Sequence, residues 1–256
     1  DLTGVKGTGR NGRISTADVE AVAAGAQTET AVAAPPATTT PAAPGEEGVP
    51  LSSRELAAAR RLVASKQEIP HFYLQRDLDM RHALVAKERD SVPLTALLIK
   101  ALGNALQARP KLNAHLHNDR LSAQDGVAIN VAVETPDGLV APLLTSVDQL
   151  GPIELAANLK SLAERARDKA LTASDLAPGG LTLSNPGMFG ITAFTAIINP
   201  PQVAILAAGT VRPLVLKDGD NAVPAMTVTL SCDHRAIDGA EGARFLAALQ
   251  EALNTL

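Results

Sequence analysis

Two apolar runs in this chain stop at side chains that can do chemistry. AMTVTLSCD ends at His234, with Asp238 four positions further on in DHRAIDG, and LTLSN ends at Ser184 and passes into the turn-forming residues Asn185, Pro186 and Gly187. A free thiol, with a pKa near 8.5, is mostly protonated at neutral pH, and imidazole is the side chain best suited to take its proton. A thiolate attacking an acyl carbonyl creates a tetrahedral oxyanion, which a hydroxyl about 3 Å away can stabilise. Acyl transfer between thiols would therefore use His234 as base and Ser184 as oxyanion donor. By spacing alone, SNPG reads equally well as a β-turn and DHR as a charged loop.

The remaining reactive residues carry less. His115 and His117 sit two apart in NAHLHND and would present both imidazoles to one side of an extended segment, but nothing completes a ligand set, so no metal is expected. Cys232 is the single cysteine, which excludes an intrachain disulfide. It is expected to be a packed core thiol rather than a nucleophile. Gly187 and Gly190 lack the spacing of a phosphate loop.

The elements that must position these residues follow from pattern. Ser53 to Lys66 reads as a helix that Pro70 closes, and HFYLQRDLDM as a strand. A helix is expected from Leu94 to Ala108. VAINVAVET and GLVAPLL read as two strands with a turn at Pro136, Asp137 and Gly138, and Ile153 to Lys169 as an amphipathic helix. LTLSN, QVAILAAG and AMTVTLSCD complete the strands, and Gly239 is expected to allow the sharp exit into a last helix reaching Leu253. Irregular alternation of this kind predicts a mixed α/β domain.

With 256 residues, 46% of them hydrophobic, the chain can bury a substantial core. Its net charge of -4 speaks against nucleic acid as main partner, and no apolar run reaches the roughly 20 residues that cross a bilayer. Residues 26–48 are rich in Ala, Pro and Thr without an apolar face, and predict an extended tether. Before it, residues 1–25 hold a Gly-rich loop and one short helix, too little to fold as an independent core. Residues 49–256 form the main domain.

DHRAIDG, LTLSNPGMFG and AIINPPQVAILAAG together resemble the catalytic domain of the dihydrolipoamide acyltransferases, the core components of 2-oxo acid dehydrogenase complexes. The resemblance implies a fold similar to chloramphenicol acetyltransferase and a homotrimer with active sites between subunits, built further into a cubic or dodecahedral core or into nothing larger. It implies that His234 is the general base, that Ser184 is the oxyanion donor reaching in from a neighbouring subunit, and that Asp238 fixes local geometry. Coenzyme A, as acetyl-coenzyme A in the reverse direction, and a dihydrolipoyl arm would be the substrates, the lipoyl group coming from a lipoyl domain not found in this chain.

DLTGVKGTGRNGRISTADV looks like the second half of the small domain that binds the decarboxylating dehydrogenase component and dihydrolipoamide dehydrogenase. Arg10 and Arg13 are its remaining basic contacts, and residues 1–25 are expected to be unstable or non-binding. The acyl group implied is acetyl. Two other readings compete: a catalytically weak scaffold, motivated by Glu55 and Leu56 where the family carries a basic pair and by Thr95 and Ala96 where it reads Asn-Asp, and a stand-alone enzyme acting on a small hydroxylated acceptor. In the first case Arg54, Arg60 or Arg61 would have to compensate. The compartment implied is bacterial cytoplasm, with the mitochondrial matrix as alternative.

Overall fold

The computed structural model describes residues 48–217 and 221–256 together with Thr16, which is helical. The chain divides into two compact units, Asp1–Pro50 and Leu51–Leu256, and the second carries both Ser184 and His234. The expectations for residues 1–25 and for the tether lie almost wholly outside the described residues.

In order, the elements are α1 (Ser53–Glu68), β1 (His71–Asp79), α2 (Arg81–Asp90), α3 (Leu94–Ala108), β2 (Ala114–His117), β3 (Arg120–Ala123), β4 (Ile129–Val131), β5 (Val133–Thr135) and β6 (Gly138–Val140). Then come β7 (Leu143–Leu144), α4 (Pro152–Arg167), β8 (Leu181–Ser184), β9 (Ala204–Leu214), β10 (Val223–Asp233) and α5 (Gly239–Asn254). Six strands form one mixed sheet in the order β1-β10-β9-β8-β4-β7. Its β1/β10, β10/β9 and β4/β7 pairs are antiparallel, whereas β9/β8 and β8/β4 are parallel. The remaining strands make two hairpins, β2-β3 and β5-β6.

The long runs become strands because they are covered on both faces. β10 is buried from Ala225 to Asp233 and β9 from Ala204 to Gly209, so neither shows the apolar-polar alternation of a half-exposed strand. The cover includes α3, whose sequence LTALLIKALGNALQA buries Leu97, Leu98, Ile99, Leu102 and Leu106 completely and so is apolar nearly all round. α5 lies against α3 with Phe245 and Leu249 fully buried. A Cβ on Gly103 would stand 2.7 Å from Val147 Cγ1, so only glycine lets α3 approach the segment after β7 this closely.

Three expectations need correction. VAINVAVET is two strands, since β4 belongs to the six-stranded sheet and β5 to a hairpin; GLVAPLL likewise splits into β6 and β7. Residues 81–90 and 120–123 form α2 and β3, which the pattern does not announce. Gly239 does not make the sharp exit: it is the first helical residue, without a left-handed φ. The reversal is made earlier, where the Asp233 carbonyl accepts from the N–H groups of Ala236 and Ile237.

Candidate active site

His234 is the first residue beyond β10. Its N–H donates to Pro70 O at 3.0 Å, fastening it to the exit of α1, and its ring packs on Phe72 of β1 with centroids 4.4 Å apart. The ring itself is exposed. Behind it Asp233, only 1% exposed, takes Arg235 through both carboxylate oxygens, at 3.0 Å to Nε and 2.7 Å to Nη2. The same carboxylate accepts from the Arg235 N–H, so the DHR turn is held by an ion pair whose acid is buried and whose guanidinium is exposed. Arg235 also lines an open cleft of about 560 Å³, together with Arg61 and Glu68 of α1, the β2-β3 turn at Asn118 and Asp119, and Pro200.

Asp238 makes its hydrogen bond elsewhere than to His234. It is the N-cap of α5, accepting from the Glu241 N–H at 2.8 Å. That hydrogen bond, with Lys111 and Arg244 nearby, holds its carboxyl below the usual carboxylate range against the opposing cost of burial. Cys232, two residues before His234, is fully buried, and burial followed by the neighbouring Asp233 pushes its thiol up to about 12. Such a thiol is no nucleophile at neutral pH.

Ser184 ends β8, half-buried, and starts a turn in which Asn185 Oδ1 accepts from the Gly187 N–H at 3.1 Å. One turn of 3-10 helix, Gly187–Phe189, follows and closes on Gly190 at a φ of 76°. The chain does not bring Ser184 and His234 together. Ser184 stands opposite Ala207 of β9, and Ala207 opposite Thr229 of β10. His234 is then five residues further along β10, about 16 Å at strand rise, and two strands sideways. Because β10 runs against β8 and β9, the chain leaves the sheet in opposite directions after Ser184 and before His234.

Several polar residues that pattern reading passed over hold this region. His71 donates from Nδ1 to Ile69 O at 2.9 Å and accepts at Nε2 from the Ile198 N–H at 3.1 Å, while Ser65 Oγ donates to Ile198 O at 2.6 Å. Both polar groups of Ile198 are thereby taken. Deeper, Gln202 donates to Asn130 Oδ1 at 2.7 Å and Gly179 O at 2.9 Å and accepts from Thr182, so the Gln of the NPPQ motif serves the fold. Apart from His71 and Ile69, these partners are tens of residues apart, and no local signal could have found them.

Of the four residues that depart from the family pattern, three have local work. Glu55 closes a capping box with Ser52 at the start of α1. Leu56 is exposed, Ala96 is in the core, and Thr95 accepts from Asn185 Nδ2 at 3.2 Å. Arg61 lines the cleft beside Arg235, whereas Arg54 pairs with Asp137 at 3.6 Å. His115 Nε2 is engaged with Gly179 O at 2.8 Å, and among the described residues no three His, Cys, Asp or Glu side chains gather around a metal-sized position. No described helix is long and apolar enough to cross a membrane.

Comparison with known proteins gives a consistent result. The family model for the catalytic domain of 2-oxoacid dehydrogenases acyltransferase matches residues 43–256. The dihydrolipoyllysine-residue acetyltransferase component of the mitochondrial pyruvate dehydrogenase complex of Schizosaccharomyces pombe is 38% identical over 99% of this chain and 57% of its own length. The chain spans about half the length of the curated relatives it matches.

Among solved structures, a dihydrolipoamide acetyltransferase of Azotobacter vinelandii, studied for a serine, a histidine and an asparagine in its catalytic mechanism, superposes with a TM-score of 0.75 at 34% identity, covering 82% of this chain and 92% of that one. The cubic core of a pyruvate dehydrogenase multienzyme complex gives the same TM-score, identity and coverage. A chloramphenicol acetyltransferase shares the fold, with a TM-score of 0.53 at 13% identity over 76% of this chain and 94% of that one.

Proposed function

This chain belongs to the 2-oxoacid dehydrogenase acyltransferase family, and from that premise we propose that it moves an acetyl group between a dihydrolipoyl thiol and coenzyme A at a site shared by two copies of the chain. In that site His234 of one copy takes the proton from the coenzyme A thiol. The thiolate adds to the carbonyl of the S-acetyldihydrolipoyl group, and the tetrahedral oxyanion accepts a hydrogen bond from Ser184 Oγ of the neighbouring copy. Collapse expels the dihydrolipoyl thiolate, which recovers the proton from His234. Asp238 sets the start of α5 just behind. Its distance from His234 in sequence is that between the named histidine and asparagine of the Azotobacter enzyme.

The observation that carries this reading is the separation of Ser184 from His234 within one chain. A site using both needs a second copy, and Met188, Phe189 and Ile191, just past Ser184, offer exposed apolar surface for it to cover. A homotrimer is the assembly that supports this, with a larger core like that of the cubic relative built from trimers. The cleft beside Arg235 and Arg61, of about 560 Å³, is of the size that takes a small-molecule substrate. The lipoyl arm would be presented by a lipoyl domain. The decarboxylating component and dihydrolipoamide dehydrogenase are the partners proposed, and bacterial cytoplasm the compartment.

Against the scaffold reading, three of the four departures that motivate it, Glu55, Thr95 and Ala96, have a structural place, while Leu56 is exposed. The deciding experiment is the rate of acetyl transfer from acetyl-coenzyme A to free dihydrolipoamide by the wild type and His234→Ala. Turnover that collapses in the variant supports the reading; a folded, oligomeric wild type with no turnover returns the scaffold. Chloramphenicol preferred over dihydrolipoamide as acceptor would favour the stand-alone enzyme.

A further inference from the structure

We propose that Thr95 is a positioning residue for the Ser184 hydroxyl, acting through the Asn185 side chain; the proposal rests on the acyl-transfer reading of that serine. The Asn185 amide has two ends and both are used. Oδ1 accepts from the Gly187 N–H at 3.1 Å, an Asx turn that fixes which end is oxygen, and Nδ2 therefore faces Thr95 Oγ1 at 3.2 Å. One side chain thus ties the residue after Ser184 both to its own turn and to the first turn of α3.

Thr95 is free to serve in this way. The N-cap of α3 is Pro93, with no side-chain capping bond, so the Thr95 hydroxyl is not spent on the helix start. Its β-branched side chain has few rotamers in a helix, which keeps the acceptor in place. α3 is itself the most deeply buried of the described helices, and so a rigid anchor.

The other side of the turn is pinned by backbone. A Cβ on Gly187 would lie 2.7 Å from Gly209 O, and one on Gly209 would lie 1.9 Å from Thr192 O. The Thr210 N–H donates to Ile191 O at 2.8 Å. Residues 185–191 are therefore held against β9 on one side, and the Thr95–Asn185 bond is the tie on the other. An oxyanion donor is worth most when its position is fixed before the charge develops.

The test compares Thr95→Val, which keeps the shape and removes the acceptor, with Thr95→Ser, which keeps the hydroxyl, in the full chain. Thr95→Val is expected to lower kcat by about tenfold with KM within about twofold, the worth of one hydrogen bond. Thr95→Ser should restore kcat to within about twofold, and Asn185→Ala should lose at least as much as Thr95→Val with no further loss in the double variant.

Hydrogen exchange at the Gly187 amide, read in the same variants, should quicken about tenfold in Thr95→Val and stay near the wild-type rate in Thr95→Ser. Wild-type kcat and exchange in Thr95→Val would overturn the proposal, as would a Thr95→Ser variant that falls equally far. A wild type that transfers nothing defeats the acyl-transfer reading separately. Exchange at Gly187 then still decides the tie: unchanged in Thr95→Val overturns it, quickened upholds it.

Discussion

At the scale of single residues, His234 and Ser184 sit where buried strands end, and what distinguishes them from their neighbours is freedom. Asp233 is locked to Arg235 and Cys232 is sealed in the core, whereas the His234 ring stands exposed on Phe72. His234→Ala should lower acetyl transfer by roughly a hundredfold to ten-thousandfold, the usual contribution of a general base. Ser184→Ala should cost on the order of a hundredfold in kcat, as loss of an oxyanion donor does elsewhere, and a fully active variant would remove it from the mechanism. Cys232, with its thiol pushed up to about 12, should resist iodoacetamide at about pH 8 in the folded protein and react once denaturant exposes it. Rapid labelling of native protein would contradict the burial. These residue types and their places at strand ends were legible in the sequence. The ties that hold them were not, because Asn185 and Thr95, or Gln202 and Asn130, are joined only by the fold.

At the scale of elements, legibility followed burial. β9, β10 and α3 are apolar because they are covered, and their runs announce them. α2 buries only Ala83 and Ala86 and has no side-chain cap, and β3 is exposed at every residue, so neither leaves a pattern to read. The split of VAINVAVET was hidden for another reason: a change of sheet partner at Ala132 costs no change in residue type. Burial also sets the energetic scale. Leu102→Ala, in the middle of α3, should destabilise by about 2–5 kcal/mol, measured by denaturant unfolding, because the residue is fully enclosed.

Asp238 gives α5 a pH-dependent start. Its folded pKa is lowered, so the stability it adds is present above the unfolded carboxyl value near 3.9 and is lost as pH falls through the folded value. Asp238→Asn keeps a capping oxygen and should hold its melting temperature better than the wild type between about pH 4 and 3, whereas Asp238→Ala should melt lower already at about pH 7. Equal melting curves for all three would show that the cap does not matter.

At the scale of the whole molecule, the offset between Ser184 and His234 predicts complementation. Subunits carrying Ser184→Ala and subunits carrying His234→Ala, each nearly inactive, should regain transfer when unfolded together and refolded into mixed oligomers. An interface that joins His234 of the first to Ser184 of the second is intact. No recovery in verified mixed oligomers would mean that each chain completes its own site. The same register on β9 also bears on abundance. If the smallest working unit is a contact between chains, specific activity must fall on dilution with the dissociation of that contact, and a newly made chain must wait for its neighbours before it can turn over substrate. Catalytic output then rises more steeply than protein concentration at low expression, so mass action alone keeps stray single chains silent.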